Sequence, residues 1–406
     1  MYSHETWRLV LADVRGHDDT QDRIAATRNY CREMSQKGLS TVSGGVCVLT
    51  FMAILRGLKP GNMAFGLHRG ILWHAVCHFI VSARAPGATP APTVRIAEGI
   101  DMPLVALGTG EYQEDKAMHA VFQAISLGYR AIDTAHQYGN QVAVGEGVRA
   151  ALANTSLNLT RKDLFVITKV EGGLTANETA VHLAEDVARL GIGPKLDLVL
   201  LHYPKARPPL SLTETIAEQW GAISEFVVEG RARAAGVSQF CDAAFVALDS
   251  SGATTRPVVN QVGWHVGQGP DPQGVQSTAL ARNDLTVMAF SPLDEANANI
   301  LHGEPYTTIA SSHSSTPAQV ALRWLAQRRI PLAVAATSPQ YQLDNLDIFG
   351  FELSAAEMER IDHATQPSGC PFWPGSVCWQ MSGCNHTCCD VNPTFCPPSL
   401  PPCLQV

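Results

Sequence analysis

From about residue 94 the chain repeats one pattern: a short apolar run followed by an amphipathic stretch with helical spacing. A run that is apolar on both faces suits a parallel strand covered by helices, so the repeat specifies βα units rather than hairpins. The runs are LVALGTG (104–110), RAIDTA (130–135), LFVITKV (164–170), LDLVLLH (196–202), RAAGVSQF (233–240), VVNQVGWH (258–265), LTVMAFS (285–291) and LAVAATS (332–338). Eight such units close on themselves as a (β/α)8 TIM barrel, and the expected fold is α/β with the barrel over residues 94–366.

The intervening stretches carry helix punctuation. AMHAVFQAISLGY has apolar residues at three-and-four spacing and ends at Gly128, while TPAQVALRWLAQRR offers Thr316 as N-cap and Pro317 at the first turn. Before the first run, VRIAEGIDMP reads as a hairpin turning at Glu98 and Gly99, a plug for the bottom of the barrel.

Composition narrows the function classes. With 406 residues, 46% of them hydrophobic and 16% charged, the chain can bury a large core. A net charge of −8 without a Lys/Arg stripe argues against nucleic acid as a partner. The apolar runs at 46–55 and 71–81 are shorter than the ~20 residues of a spanning helix, so no membrane span is expected.

Residues 1–93 read as a leader or non-globular extension. If translation starts at Met63, residues 63–85 form a secretory signal with a basic start, an apolar middle and Ala83 and Ala85 in the A-x-A positions. The protein would then enter the secretory pathway; the alternatives are a cytoplasmic or organellar location. Residues 367–406 form a Cys/Pro-rich tail holding Cys370, Cys378, Cys384, Cys388, Cys389, Cys396 and Cys403, whereas the barrel region holds Cys241 alone. Without paired C-x-x-C knuckles the tail points to disulfides, and so to an oxidising compartment, more than to zinc. Sequons at Asn154, Asn158, Asn177 and Asn385 fit secretion but add little weight.

Chemistry gathers at the ends of the runs. Asp133, Lys169 and His202 stand at or just past the ends of the second, third and fourth runs, with Tyr138 on the loop after the second. A barrel of this kind carries its active site at that face. Any one of the four could be an ordinary polar residue at a strand end; four in consecutive units are expected to converge. Asp133 would keep the Lys169 ammonium charged, and an ammonium beside a phenol favours its ionisation, pulling the Tyr138 pKa below ~10 so that it can donate a proton. His202 could hydrogen-bond a carbonyl oxygen and hold the developing oxyanion with the phenol.

GYRAIDTAHQYGNQ, FVITKV, LDLVLLHYP, GVSQF, PVVNQVGWH, AFSPL and TPAQVALRWL, in this order, resemble the aldo-keto reductases over nearly the whole barrel. The resemblance implies NAD(P)H-dependent reduction of a small-molecule aldehyde or ketone, with Tyr138 as general acid, Lys169 and Asp133 tuning it, and His202 orienting the substrate. It further implies that Ser238, Gln239 and Gln261 hold the nicotinamide carboxamide and that Phe290 stacks on the ring. Thr109, Ser291 and Leu293 would line the dinucleotide, with Thr337, Ser338, Asp344 and Asn345 toward the adenosine end. Gln239 replaces the usual Asn and Phe290 the usual Tyr. Gly110 and Tyr203 stand where the family commonly has bulkier aromatics, implying a substrate pocket open on one side. Where the family often presents Lys, Ser and Arg to the 2′-phosphate, this chain has Ala335, Ala336 and Tyr341. NADPH is the family default; appreciable use of NADH is expected.

Other signals are weaker. GEGVRA (145–150) matches a G-x-G-x-x-A fingerprint, but it lies well beyond its strand and is expected inside a helix. His119, His182, His265, His302 and His313 lack the paired helical spacing of metal ligands, so packing or surface roles and no metal are expected. Two alternatives remain in view: Lys169 as a Schiff-base lysine, which Asp133 argues against, and a catalytically slow, nucleotide-binding regulatory subunit of the same fold. The oligomeric state is left open.

Overall fold

The computed structural model describes residues 91–110, 112–283, 285–372 and 377–378. The signal segment at 63–85, Cys384, Cys388, Cys389, Cys396, Cys403 and Asn385 lie outside the described residues.

The chain enters through an antiparallel hairpin, β1 (Thr93–Ala97) and β2 (Ile100–Pro103). Its turn falls at Glu98 and Gly99, as the sequence suggested, with Gly99 at a φ of +70° that only glycine adopts without a Cβ penalty. Among the described residues, eight further strands close into a barrel: β3 (Val105–Gly108), β4 (Ala131–Asp133), β5 (Phe165–Val170), β6 (Leu196–Leu201), β7 (Ala232–Ser238), β8 (Val259–Gly263), β9 (Thr286–Phe290) and β10 (Leu332–Val334). Every strand pair is parallel, and β10 closes against β3. Each strand lies within its expected apolar run except β7, which begins one residue earlier, at Ala232.

Helices alternate with the strands: α1 (Glu114–Leu127), α2 (Gln141–Ala153), α3 (Ala176–Leu190), α4 (Leu212–Val228), α5 (Asp242–Asp249) and α6 (Val275–Ala281). Then follow α7 (Ala298–His302), α8 (Tyr306–Ser312), α9 (Pro317–Gln327), α10 (Pro339–Leu346) and α11 (Ala355–Asp362). Local chemistry sets several ends. Gly128 stops α1 in the left-handed conformation, and Thr175, Ser211, Thr316 and Ser354 begin α3, α4, α9 and α11 with reciprocal capping boxes to Glu178, Glu214, Gln319 and Glu357.

Two apolar cores result from strand alternation. Val166, Val170, Val199 and Leu201 point outward and pack under the helices, whereas Phe165, Ile167, Leu198, Leu200, Ala234, Val259, Met288 and Ala333 fill the barrel interior. Ile96 and Met102 of the hairpin belong to the interior cluster, so the hairpin plugs the N-terminal end of the barrel. With the bottom sealed by apolar side chains, a polar group at the end of an inward row can meet solvent only at the opposite mouth.

The glycines of GEGVRA serve packing rather than phosphate binding. They sit inside α2, where a Cβ on Gly145 would lie 1.9 Å from the Leu190 carbonyl oxygen and one on Gly147 would lie 2.6 Å from that of Met118. Helices α1 and α3 therefore approach α2 almost backbone to backbone.

Beyond α11 the chain runs back along the barrel. Tyr306 donates to the Gln366 carbonyl at 2.8 Å, the Gly263 amide donates to the Pro371 carbonyl at 2.9 Å, and Phe372 is buried. Cys378 forms a disulfide with Cys241, 137 residues earlier. The tail was expected to be stapled; here a staple joins it to the barrel, just after β7. No helix of the described residues is long and apolar enough to cross a membrane.

Gly145→Ala is expected to destabilise the fold by ~1–3 kcal/mol or more, because backbone must move to admit the methyl group. Gly221→Ala, in α4 with nothing within 4 Å of its added Cβ, is expected to stabilise by ~0.5–1 kcal/mol. Urea midpoints of the two variants check both signs.

Candidate active site

Alternation along the strands decides which side chains reach the mouth. Lys169 continues the inward row Phe165–Ile167, and His202 follows Leu198 and Leu200. Asp133 follows Ala131, Gln261 follows Val259 and Phe290 follows Met288, so five strands deliver their last inward residue to one place. Tyr138 ends a 3-10 turn, His136–Tyr138, just beyond β4.

Lys169 lies at the centre of the resulting network. Its Nζ donates to Asp133 Oδ1 at 2.5 Å, to the Thr134 carbonyl at 3.0 Å and to the Tyr138 hydroxyl at 3.2 Å. Lys169 and Asp133 are only 1% and 3% exposed, so neither charge is hydrated and each depends on the other. Burial is the largest influence on the lysine and pulls its pKa down, but Asp133, Tyr138 and their hydrogen bonds outweigh it and hold the pKa above the ordinary value. The second oxygen of Asp133 accepts from Gln261 Nε2 at 2.8 Å, tying β8 into the same network.

Tyr138 and His202 face each other across the mouth, edge to face, with ring centroids 5.9 Å apart. Both retain part of their surface toward solvent, although protein atoms crowd the imidazole on most sides. That burial, with the Lys169 charge second, pushes the His202 pKa down to about 3, so the ring is neutral across the physiological range. Its Nδ1 is buried and has no hydrogen-bond partner among the described residues. An orphaned nitrogen beside a part-exposed phenol suits a polar ligand at this position.

The remaining predicted residues spread around the same rim. Ser238 Oγ donates to the Gln261 carbonyl at 2.8 Å, and Gln239, held at φ +60°, donates its backbone N–H to the same oxygen. The Gln239 side chain reaches the His202 carbonyl at 3.4 Å, which links the ends of β6 and β7. Thr109 donates both its N–H and its hydroxyl to the Asp133 carbonyl at 2.9 Å. At Gly110 an added Cβ would stand 3.5 Å from the Tyr138 ring, so the missing side chain leaves open space beside the phenol. Tyr203 is turned toward Gln137, which donates to its hydroxyl at 3.1 Å.

The tail also reaches this rim. An added Cβ on Gly263 would stand 3.4 Å from the Phe290 ring and 3.5 Å from the Pro371 carbonyl, so the returning chain passes close to that ring. Ser291 and Leu293 follow Phe290, with Ser291 at φ +46°.

Farther out, Thr337 and Ser338 precede α10, in which Asn345 is buried and Asp344 accepts from Gln340 at 2.8 Å. Tyr341 is 66% exposed, and from Pro331 to Phe349 the chain carries no Lys or Arg.

Two contributors escaped the sequence reading. The Thr134 carbonyl is backbone, and no residue type announces it. Cys241 was visible, but only the fold shows that it lies beside Cys378, whose sulfur also accepts from the Cys241 N–H at 3.0 Å.

The sequence profile of the Aldo/keto reductase family matches residues 104–366. An aldo-keto reductase of Mycobacterium tuberculosis is 34% identical over 278 residues, covering 68% of this chain and 92% of its own length. Morphine 6-dehydrogenase of Pseudomonas putida is 32% identical over 290 residues, with coverage of 68% and 92%. Among solved structures, that of a Bombyx mori aldo-keto reductase in complex with NADP superposes with a TM-score of 0.60 at 30% identity, covering 68% of this chain and 93% of that one.

The neutral His202 makes a pH prediction. Its folded pKa lies below the unfolded value, so between pH ~6.5 and ~3 the unfolded chain binds the extra proton and stability falls as pH falls, by at most ~1.4 kcal/mol per pH unit from this residue. In urea unfolding between pH 6.5 and 4.5, His202→Asn is expected to lose stability less steeply than the wild type. Equal slopes would show that the imidazole is protonated in the folded state.

Proposed function

The chain belongs to the aldo/keto reductase family of NAD(P)H-dependent oxidoreductases, and on that premise we propose that it reduces the carbonyl group of small aldehydes and ketones with Tyr138 as the proton donor. The observation that carries the reading is the Lys169 ammonium bonded at once to Asp133, Thr134 and the Tyr138 hydroxyl at the open end of the barrel.

A nicotinamide cofactor, when bound, would supply the hydride. Tyr138 gives its hydroxyl proton to the substrate oxygen, and the ammonium 3.2 Å away stabilises the phenolate left behind. Asp133 keeps that ammonium charged in a site from which water is excluded. His202, neutral by burial, can direct a hydrogen bond at the substrate oxygen without competing as the acid. These residues suit a polar, amide-bearing cofactor, because hydrogen-bonding side chains from β4, β7 and β8 and the unpartnered His202 Nδ1 surround one opening.

By the family pattern, Ser238, Gln239 and Gln261 would hold the carboxamide and Phe290 the ring. Thr109, Ser291 and Leu293 would follow the dinucleotide, with Thr337, Ser338, Asp344 and Asn345 toward its adenosine end. Gly110 and Tyr203 would shape a substrate pocket that is open beside Tyr138. The solved structure of the Bombyx mori relative contains NADP, and a relative in Emericella nidulans carries the name of a probable NAD(P)H-dependent D-xylose reductase, which supports NADPH as the cofactor.

The Schiff-base alternative loses ground, since a lysine held charged by three acceptors is a poor amine nucleophile. A regulatory subunit without turnover would have no need of the intact ammonium–phenol contact. The bridge between Cys241 and Cys378 supports an oxidising compartment such as the secretory pathway.

Tyr138→Phe is expected to abolish turnover of an aromatic aldehyde while NADPH still quenches the protein's fluorescence; near-native activity would remove the proton-donor assignment. Without a cation from Pro331 to Phe349, NADPH loses charge-assisted bonds worth ~1.5–3 kcal/mol each. The ratio of kcat/KM for NADPH over NADH is therefore expected to stay below about a hundred, or ~3 kcal/mol; steady-state oxidation of the two cofactors measures it.

A further inference from the structure

Beside the mouth, outside the proposed catalytic network, three side chains from separate elements meet. His136 opens the 3-10 turn that ends in Tyr138, Glu171 follows β5, and His182 lies in the second turn of α3. One donor atom from each falls within 4.8 Å of the others. We propose that His136, Glu171 and His182 form a binding site for a divalent transition-metal ion of the zinc class, with remaining positions open to water.

Three observations support this. First, the carboxylate is underused: Glu171 Oε2 is buried without a hydrogen-bond partner, and Oε1 lies 3.1 Å from His182 Nδ1 without the alignment of a hydrogen bond, so that Nδ1 is unsatisfied as well. Buried polar atoms left unpaired are costly, and a cation would satisfy both residues at once.

Second, His136 is oriented as a ligand would be. Its Nδ1 lies 2.7 Å from Asp186 Oδ1, and Asp186 is fully buried and itself receives the Thr168 hydroxyl at 2.9 Å. A buried carboxylate that accepts a hydrogen bond from Nδ1–H fixes the tautomer and leaves Nε2 as a lone-pair donor, the arrangement that supports metal-bound histidines. Third, two imidazoles and a carboxylate match the preferences of zinc-class ions, whereas magnesium and calcium call for oxygen ligands.

Binding requires local adjustment. The two imidazole rings are stacked, with centroids 4.0 Å apart and planes within 5°, and one ion cannot lie in both planes. The His182 ring must therefore turn about its Cβ–Cγ bond, which breaks no hydrogen bond at Nδ1. Arg189, whose Nη1 is 3.5 Å from His136 Nε2, must swing away; it is already paired with Glu185 at 2.7 Å and is part exposed. Glu185, 3.8 Å from His136 Nε2, adds negative charge nearby.

The test uses the full chain with its disulfides intact. Titration with zinc chloride is followed by calorimetry, and substitution with cobalt(II) is read by visible absorption. Wild type is expected to take up one ion at this site, and cobalt is expected to give the intense visible bands of a low-coordinate N/O site. Glu171→Gln and His182→Asn are each expected to weaken that binding at least tenfold, and Asp186→Asn, which frees His136 to turn, by ~10–100-fold. His182→Asn is expected to keep metal-free turnover with NADPH, separating this proposal from the catalytic one. Absence of zinc binding in the wild type, or binding unchanged in both Glu171→Gln and His182→Asn, as tail cysteines would give, overturns it.

Discussion

A lysine ammonium buried within 2.5 Å of an aspartate, inside a barrel whose other end is sealed with hydrocarbon, is the constraint on which the site depends. Removing either charge strands the other, at a cost of ~3–5 kcal/mol for pairs of this kind. The pair is held in place by groups that also do other work. Gln261 ties Asp133 to β8, and the ammonium donates hydrogen bonds to the Thr134 carbonyl and the Tyr138 hydroxyl. The phenol is thus part of the compensation for a buried charge, and its ring keeps part of its surface at the mouth.

The barrel's two ends have opposite chemistry for a simple geometric reason. Side chains of a strand alternate between faces, so each inward row is a column running from bottom to mouth. Here the columns begin in Phe165, Leu198, Ala234, Val259 and Met288, with Ile96 and Met102 of the hairpin beneath, and end in Lys169, His202, Ser238, Gln261 and Phe290. One residue of slip in any strand would turn its polar group into the helix layer. The close approach of α2 to its neighbours at Gly145 and Gly147 belongs to the same packing, because it sets how tightly the helix layer encloses the strands.

The rim is also where this chain is individual. The segment from Gln366 to Phe372 returns along β8 and passes the Phe290 ring, and Cys378 is bonded to Cys241 two residues after Gln239. A covalent link therefore connects the C-terminal segment to the strand end that carries Ser238 and Gln239. On the opposite side, His136 couples the Tyr138 turn to α3 through Asp186. Both features join elements far apart in sequence, and neither is part of the ammonium network.

The amino-acid sequence by itself determined the barrel, its eight strands, the hairpin and some helix ends, such as Gly128 after α1 and Thr316 before α9, because these follow from local periodicity, capping residues and glycine positions. It also singled out Asp133, Tyr138, Lys169 and His202, since in a parallel barrel the end of a strand has only one place to go. The tertiary structure alone decided what those residues meet. Thr134 enters through its backbone, Cys241 finds Cys378 across 137 residues, and His182, unremarkable in its own helix, stacks on His136 beside Glu171. Such contacts join separate turns and helices, whose relative placement is set by the packing of the whole layer and leaves no short-range pattern in the chain.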